Sequence, residues 1–191
     1  MQVYPSRMVT LTIDLSSQKK QTAFNLRRWE QLRTDPLIAQ ELSKFEGRVE
    51  TNRHGHIIMY PPSDFSHGGY QAEIGCLLRT LLPKGKVATK SPISTADGIK
   101  YADVVWVTRA RAAAAIQKDC LTKAPEICVE VLSPDNSRRE MAEKKALYFA
   151  AGAKEVWFCD RDGVMAFFIG AASRGQNTSK FCPEFPRQVQ F

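Results

Sequence analysis

The chain has 191 residues, 43% hydrophobic and 25% charged, with a formal net charge of +7. Those values are ordinary for a soluble globular protein long enough to bury a real core, and no run approaches the roughly 20 apolar residues of a membrane span. The basic balance is compatible with a polyanionic partner without requiring one.

In chain order, Met8 to Leu15 alternates like an edge strand, and a charged turn at Gln18-Lys19-Lys20-Gln21 is expected to follow. Phe24, Leu26, Trp29 and Leu32 predict a helix over 22–32, which Asp35-Pro36 stops; a second short helix is expected from Leu37 to Phe45. A hairpin comes next: Arg48 to Thr51, a turn at 52–55, and a return strand from His56 to Tyr60. Ile74, Leu77, Leu78, Leu81 and Leu82 place a helix over 66–82. Strands are expected over 86–94 and 101–107 around an Asp97-Gly98 turn. The Ala-rich stretch 108–124 reads as a helix or loop on the rim.

Ile127 to Leu132 is an apolar strand with one acid inside it. Ser133-Pro134 ends it, and Ser137 with Glu140 offers a capping box for a helix over 138–151, closed by Gly152. Glu155–Cys159 and Val164–Ile169 form a hairpin around Arg161-Asp162-Gly163. The tail, with Phe181, Phe185 and Phe191, is expected to dock on the body or on a second copy. This order describes an α/β fold, a mixed sheet with a meander flanked by helices. It divides into an N-terminal embellishment (1–45), a core (46–170) and the tail (171–191). There is no Gly-rich phosphate loop, so nucleotide-dependent chemistry has no support.

Five cysteines, at 76, 120, 128, 159 and 182, show no CxxC spacing and an odd count. They read as free thiols of a reducing compartment rather than disulfides or a zinc site. With no leader-like apolar core in MQVYPSRMVT, a cytoplasmic protein is expected.

The informative residues are acids in apolar strands. Asp103 opens Asp103-Val104-Val105-Trp106-Val107, and Glu130 sits inside Ile127–Leu132. A carboxylate buried in a strand is costly unless something pairs with it. Alternation sets Cys128, Glu130 and Leu132 on one face. If the two strands are neighbours, both acids can converge on one hard cation, with the Val131 carbonyl as a third ligand. Such a metal polarises a phosphate and lowers the pKa of a bound water; a nearby lysine stabilises developing charge. The plainer alternative is a solvated acid and a paired one.

Lys144 and Lys145 both flank the helical stripe of Met141, Tyr148 and Phe149, so periodicity does not choose between them. Glu50 and Glu73 are further acids that could reach the same cleft. His54 and His56 lie two apart but lack the company a zinc site needs. His67 reads as a cap or cleft residue. Arg138, Arg139, Lys84, Lys86 and Lys100 are possible phosphate contacts.

These segments resemble the restriction endonuclease family of the Uma type, within the PD-(D/E)XK nuclease superfamily. The resemblance runs in one order over about residues 24–170. It rests on Val49-Glu50-Thr51-Asn52, His56 to Pro62, His67, Asp97-Gly98 and Ala102-Asp103-Val104. It continues through Ala124 to Pro134, Lys144 with Tyr148, and Gly152 to Trp157 with Asp160. It implies a restriction-endonuclease-like fold with Asp103 and Glu130 as metal ligands and Glu50 as the acidic position on the meander.

The superfamily lysine two residues after the glutamate is Leu132 here, and the family's substitute falls on Lys144. Ala102 stands where the motif often has proline. The implied activity is magnesium- or manganese-dependent DNA endonuclease action by a homodimer. The alternatives are a catalytically inactive nucleic-acid-binding protein or a protein-interaction module of the same fold.

Overall fold

The structure, a computed structural model, describes residues 17–117, 119–134 and 136–191. The strand expected at Met8–Leu15 lies outside them. Two helices come first, α1 (Ser17–Thr34) and α2 (Pro36–Leu42). Asp35 separates them: its carboxylate accepts the Leu37 and Ile38 N–H groups and Pro36 opens the second helix, a position where its missing N–H costs nothing. The hairpin β1 (Arg48–Thr51) and β2 (Ile57–Tyr60) forms a small sheet of its own. Helix α3 (Phe65–Leu81) is capped by Asp64.

Next come β3 (Gly85–Thr95) and β4 (Gly98–Thr108), α4 (Arg109–Ala115), and the two-residue strands β5 (Ile116–Gln117) and β6 (Cys120–Leu121). The chain continues with β7 (Ile127–Val131), α5 (Arg138–Ala150), β8 (Glu155–Cys159) and β9 (Met165–Phe168). The large sheet has the order β5-β6-β3-β4-β7-β8-β9. It is mixed: β3–β6 and β7–β8 are parallel and the other pairs antiparallel. Helix α5 is the crossover between the parallel pair β7 and β8, as parallel neighbours require.

Both faces are covered. On one, Ile74 and Leu78 of α3 pack on Val104, Trp106, Val129 and Trp157. On the other, Tyr148 of α5 and Ala115 of α4 pack on Ile93, Val105, Cys128 and Val156. Trp29 and Leu32 of α1 close over Ile99 and Cys120 at the sheet's end. The alternation expected along β7 is observed, with Cys128 on one side and Ile127, Val129 and Val131 on the other.

Two sequence expectations change. β3 and β4 run into their turn rather than stopping at 94 and 101, because Ser94–Ile99 and Ile93–Lys100 still pair and Gly98, at φ +83°, closes a tight reversal. The 108–124 stretch holds a short helix and the two short strands β5 and β6, of which β5 is the sheet edge and β6 is held by a pairing of Leu121 with Ile93 that no local pattern announces.

The tail docks on the body of the chain. Phe185 packs 4.7 Å from the Trp157 ring and Phe181 5.2 Å from Trp106. The buried Glu155 carboxylate ties it down, accepting hydrogen bonds from Trp157 Nε1, Ser179 Oγ and the backbone N–H groups of Lys180 and Phe181. All five cysteines are free, four of them buried. No described helix is long and apolar enough to cross a membrane.

Candidate active site

β4 has two edges. One pairs with β3; the other meets β7 only from Val104 to Trp106. Before Val104 the strands part, and the backbone groups on that edge need other partners. Side chains supply them. Ile99 N–H donates to Thr51 Oγ1 and Tyr101 N–H to Glu50 Oε1. The Tyr101 carbonyl accepts from Lys144 Nζ at 3.1 Å and lies 2.8 Å from the Tyr148 hydroxyl. From β7, Val131 N–H donates to Asp103 Oδ2 at 2.9 Å. The parting of two strands thus gathers Glu50, Asp103, Lys144 and Tyr148 around Glu130.

Asp103 sits at a kink. Thr89 pairs with Val104 and Ser91 with Ala102, but Lys90, opposite Asp103, takes φ +46°, a region few residues with side chains enter. The alternation slips there too: Ala102 and Val105 share one cluster while Val104 and Trp106 share the other. Asp103 is 3% exposed. It accepts from Gln71 Nε2 at 3.0 Å, and His67 Nε2 lies 3.3 Å away. His67 and Gln71 are one turn apart on α3, so one helix face presents both.

Glu130 is also 3% exposed. Lys144 Nζ donates to its Oε2 at 2.9 Å and lies 3.5 Å from Glu50 Oε1. The Tyr148 hydroxyl donates to its Oε1 at 2.6 Å. Burial pushes Glu130 up to about 7, against the pull of Lys144 and with the push of Asp103. Burial raises Asp103 too, but the His67 ring, Lys144 and the Val131 N–H outweigh it and hold the carboxyl below its ordinary value. For the Lys144 ammonium, burial acts downward, yet Glu130 and Glu50 outweigh it and keep it above its usual range. Three buried carboxylates face two cations, Lys144 and Arg48. A proton on Glu130 relieves that imbalance, and two acids pushed apart in this way suit different roles.

A cavity of about 780 Å³ opens on this cluster, lined among others by Arg48, His67, Asp103, Glu130 and Val131. Among the described residues no three His, Cys, Asp or Glu side chains gather as a metal cage. Of the acids on the cavity wall, Glu46, Asp64, Asp103, Glu130 and Glu140, only Asp103 and Glu130 are buried, and with the strand end at Val131 they offer two carboxylates and one backbone carbonyl. That sparse set is what a magnesium-like ion takes while keeping several waters. Glu50 Oε2 adds a buried oxygen with no hydrogen-bond partner among the described residues. The donors fit such an ion.

Of the sequence candidates, the structure brings together Asp103, Glu130, Glu50, Lys144, the Val131 strand end and His67. Lys145 turns away, over the Phe168 ring and onto the Ser173 carbonyl. Glu73 is exposed on α3, and His54 and His56 are exposed on the hairpin. Lys100 is corrected: it is buried and bonds Thr51 O and Asp97, so it is no phosphate contact. Arg139 pairs with Glu143 on the surface, and Arg138, Lys84 and Lys86 are exposed.

Sequence reasoning missed Arg48, Gln71, Lys90 and the role of Tyr148. Two signals were present. Arg48 and Glu50 are two apart on a strand and so share a face, and Lys144 and Tyr148 are one helical turn apart.

A mixed sheet with flanking helices, carrying buried acids where two central strands part, defines an α/β protein of the restriction-endonuclease-like class. The chain belongs to the Uma2 family, described as "Putative restriction endonuclease", which it matches over residues 29–177. A solved structure described as a putative nuclease belonging to DUF820 from Anabaena variabilis is similar in fold, with a TM-score of 0.62 at 15% identity. The likeness covers 78% of this chain and 93% of that one. No curated protein matches the chain.

Proposed function

We propose that the protein is a metal-dependent endonuclease that hydrolyses phosphodiester bonds in DNA. The observation that carries this reading is the convergence of Asp103, Glu130 and the Val131 strand end on one cavity, with Lys144 against Glu130. Asp103, Glu130 and the Val131 carbonyl would hold the magnesium or manganese ion, with Glu50 assisting. Bound there, the ion would polarise the scissile phosphate and acidify a water.

This chain's residues do the rest. Asp103, kept ionised, would be the standing ligand, and Glu130 would give up its proton where the ion binds. Lys144, kept charged, stabilises negative charge that develops on the phosphate oxygens. Tyr148 serves either protonation state of Glu130: its hydroxyl donates to the carboxylate, or turns to the Tyr101 carbonyl when Glu130 carries the proton. Cutting both strands of a duplex in one encounter calls for two such sites, which a homodimer would supply.

The test is magnesium titration by calorimetry with supercoiled-plasmid cleavage alongside. Asp103→Ala and Glu130→Ala should each abolish metal-dependent cutting while the fold persists. Lys144→Met should slow it about 100-fold or more, and Lys145→Met should leave it unchanged. Full activity in either acid variant sinks the mechanism. Salt-dependent DNA binding that is indifferent to magnesium, with no cutting, points to an inactive binding protein.

A further inference from the structure

Arg48 is the least explained residue at the cavity. It lies cross-strand from Tyr60, and its guanidinium sits 4.6 Å over that ring. The side chain is 22% exposed. Two acids are near, Glu50 at 3.3 Å from Nε and Asp103 at 3.6 Å from NH1, yet neither distance becomes an aligned hydrogen bond, and buried Nε has no hydrogen-bond partner among the described residues. A structural counter-charge normally commits its planar fork to a carboxylate, often through two parallel bonds. This fork is held by charge and stacking, with donors uncommitted, at the wall of the cavity.

A second cation lines the same cavity for an independent reason. Lys90 is exposed and holds φ +46° in the middle of an eleven-residue strand, opposite Asp103. A lysine in that conformation is strained where glycine would not be. Strain of this kind clusters at functional sites.

We infer that Arg48 and Lys90 form a phosphate-binding wall of the cavity and contact adjacent non-bridging oxygens of a nucleic-acid backbone. The inference rests on the nuclease reading and adds what receives the substrate.

The measurement is fluorescence anisotropy of a short labelled DNA duplex across a salt series, with calcium in place of magnesium. It is run on wild type, Arg48→Gln, Lys90→Gly and the remote exposed control Lys154→Gln, with magnesium calorimetry and melting curves on each. Lys90→Gly is the fold-safe variant, because the backbone there already suits glycine.

We expect Arg48→Gln and Lys90→Gly each to lower the slope of log affinity against log salt by about 1 and to weaken binding roughly fivefold or more. Both should keep magnesium binding, and Lys154→Gln should change nothing. Unchanged DNA affinity in Lys90→Gly with wild-type melting overturns the inference. So does an equal loss in Lys154→Gln, which means diffuse attraction. Loss of magnesium binding in Arg48→Gln makes that residue a structural counter-charge and overturns its part. Wild-type protein that binds magnesium but no DNA removes the nuclease reading itself, and the inference with it.

Discussion

Glu130→Gln tests whether this carboxyl keeps its proton near neutral pH. Burial raises it from its ordinary 4.5 to about 7. At about 1.4 kcal/mol per unit, the shift corresponds to about 3 kcal/mol. The folded state binds the proton more tightly than the unfolded chain, so the stabilisation is complete below about pH 4.5. It is lost as pH rises through about 7 and is constant above that. A glutamine of the same shape cannot ionise and lacks this dependence. In metal-free urea denaturation, the stability of Glu130→Gln relative to wild type should rise by about 3 kcal/mol between about pH 4 and pH 8.

The same proton competes with a cation. Magnesium affinity of the wild type should therefore fall by up to about tenfold per unit below pH 7. A stability difference that is flat with pH refutes the reasoning. So does one that favours wild type as pH rises, because that is the behaviour of an ordinary ion pair in which Lys144 and Tyr148 hold the carboxylate ionised.

Two further outcomes follow from the buried networks. Tyr148→Phe removes the 2.6 Å hydrogen bond to Glu130 Oε1 without altering the fill of the core, so it should cost about 1–3 kcal/mol in urea denaturation. The Glu130 titration should also move further upward, since that bond favours the charged form. Glu155→Ala leaves the Trp157 indole, the Ser179 hydroxyl and two tail N–H groups without their acceptor. It should cost about 3–5 kcal/mol and expose residues 176–191 to limited proteolysis. Tail resistance equal to wild type would show that the aromatic contacts of Phe181 and Phe185 suffice.

The sequence by itself determined what is local. Helix ends follow from Asp35, Asp64 and Ser137, whose side chains accept N–H groups of the first turn. The hairpins follow from turn chemistry around Gly55, Gly98 and Gly163, all at positive φ. Period-two alternation set Glu130 beside Cys128 and away from Val129 and Val131. Family resemblance supplied the fold and singled out Lys144, which periodicity could not.

What only the tertiary structure decided depends on contacts far apart in the chain. The free edge of β4 at Tyr101 takes partners 43, 47 and 51 residues away. No local pattern shows that Glu50 and Lys144 meet there, or that Lys145 does not. Lys100 reads as a surface cation but is buried, because the β1–β2 hairpin lies across β4 and supplies the Thr51 carbonyl. The positive φ at Lys90 and the slip at Asp103 fall where β4 parts from β7 while still paired with β3. A carboxylate's partners, and hence its charge, are set by which elements pack around it, and that is a property of the assembled sheet rather than of any single segment.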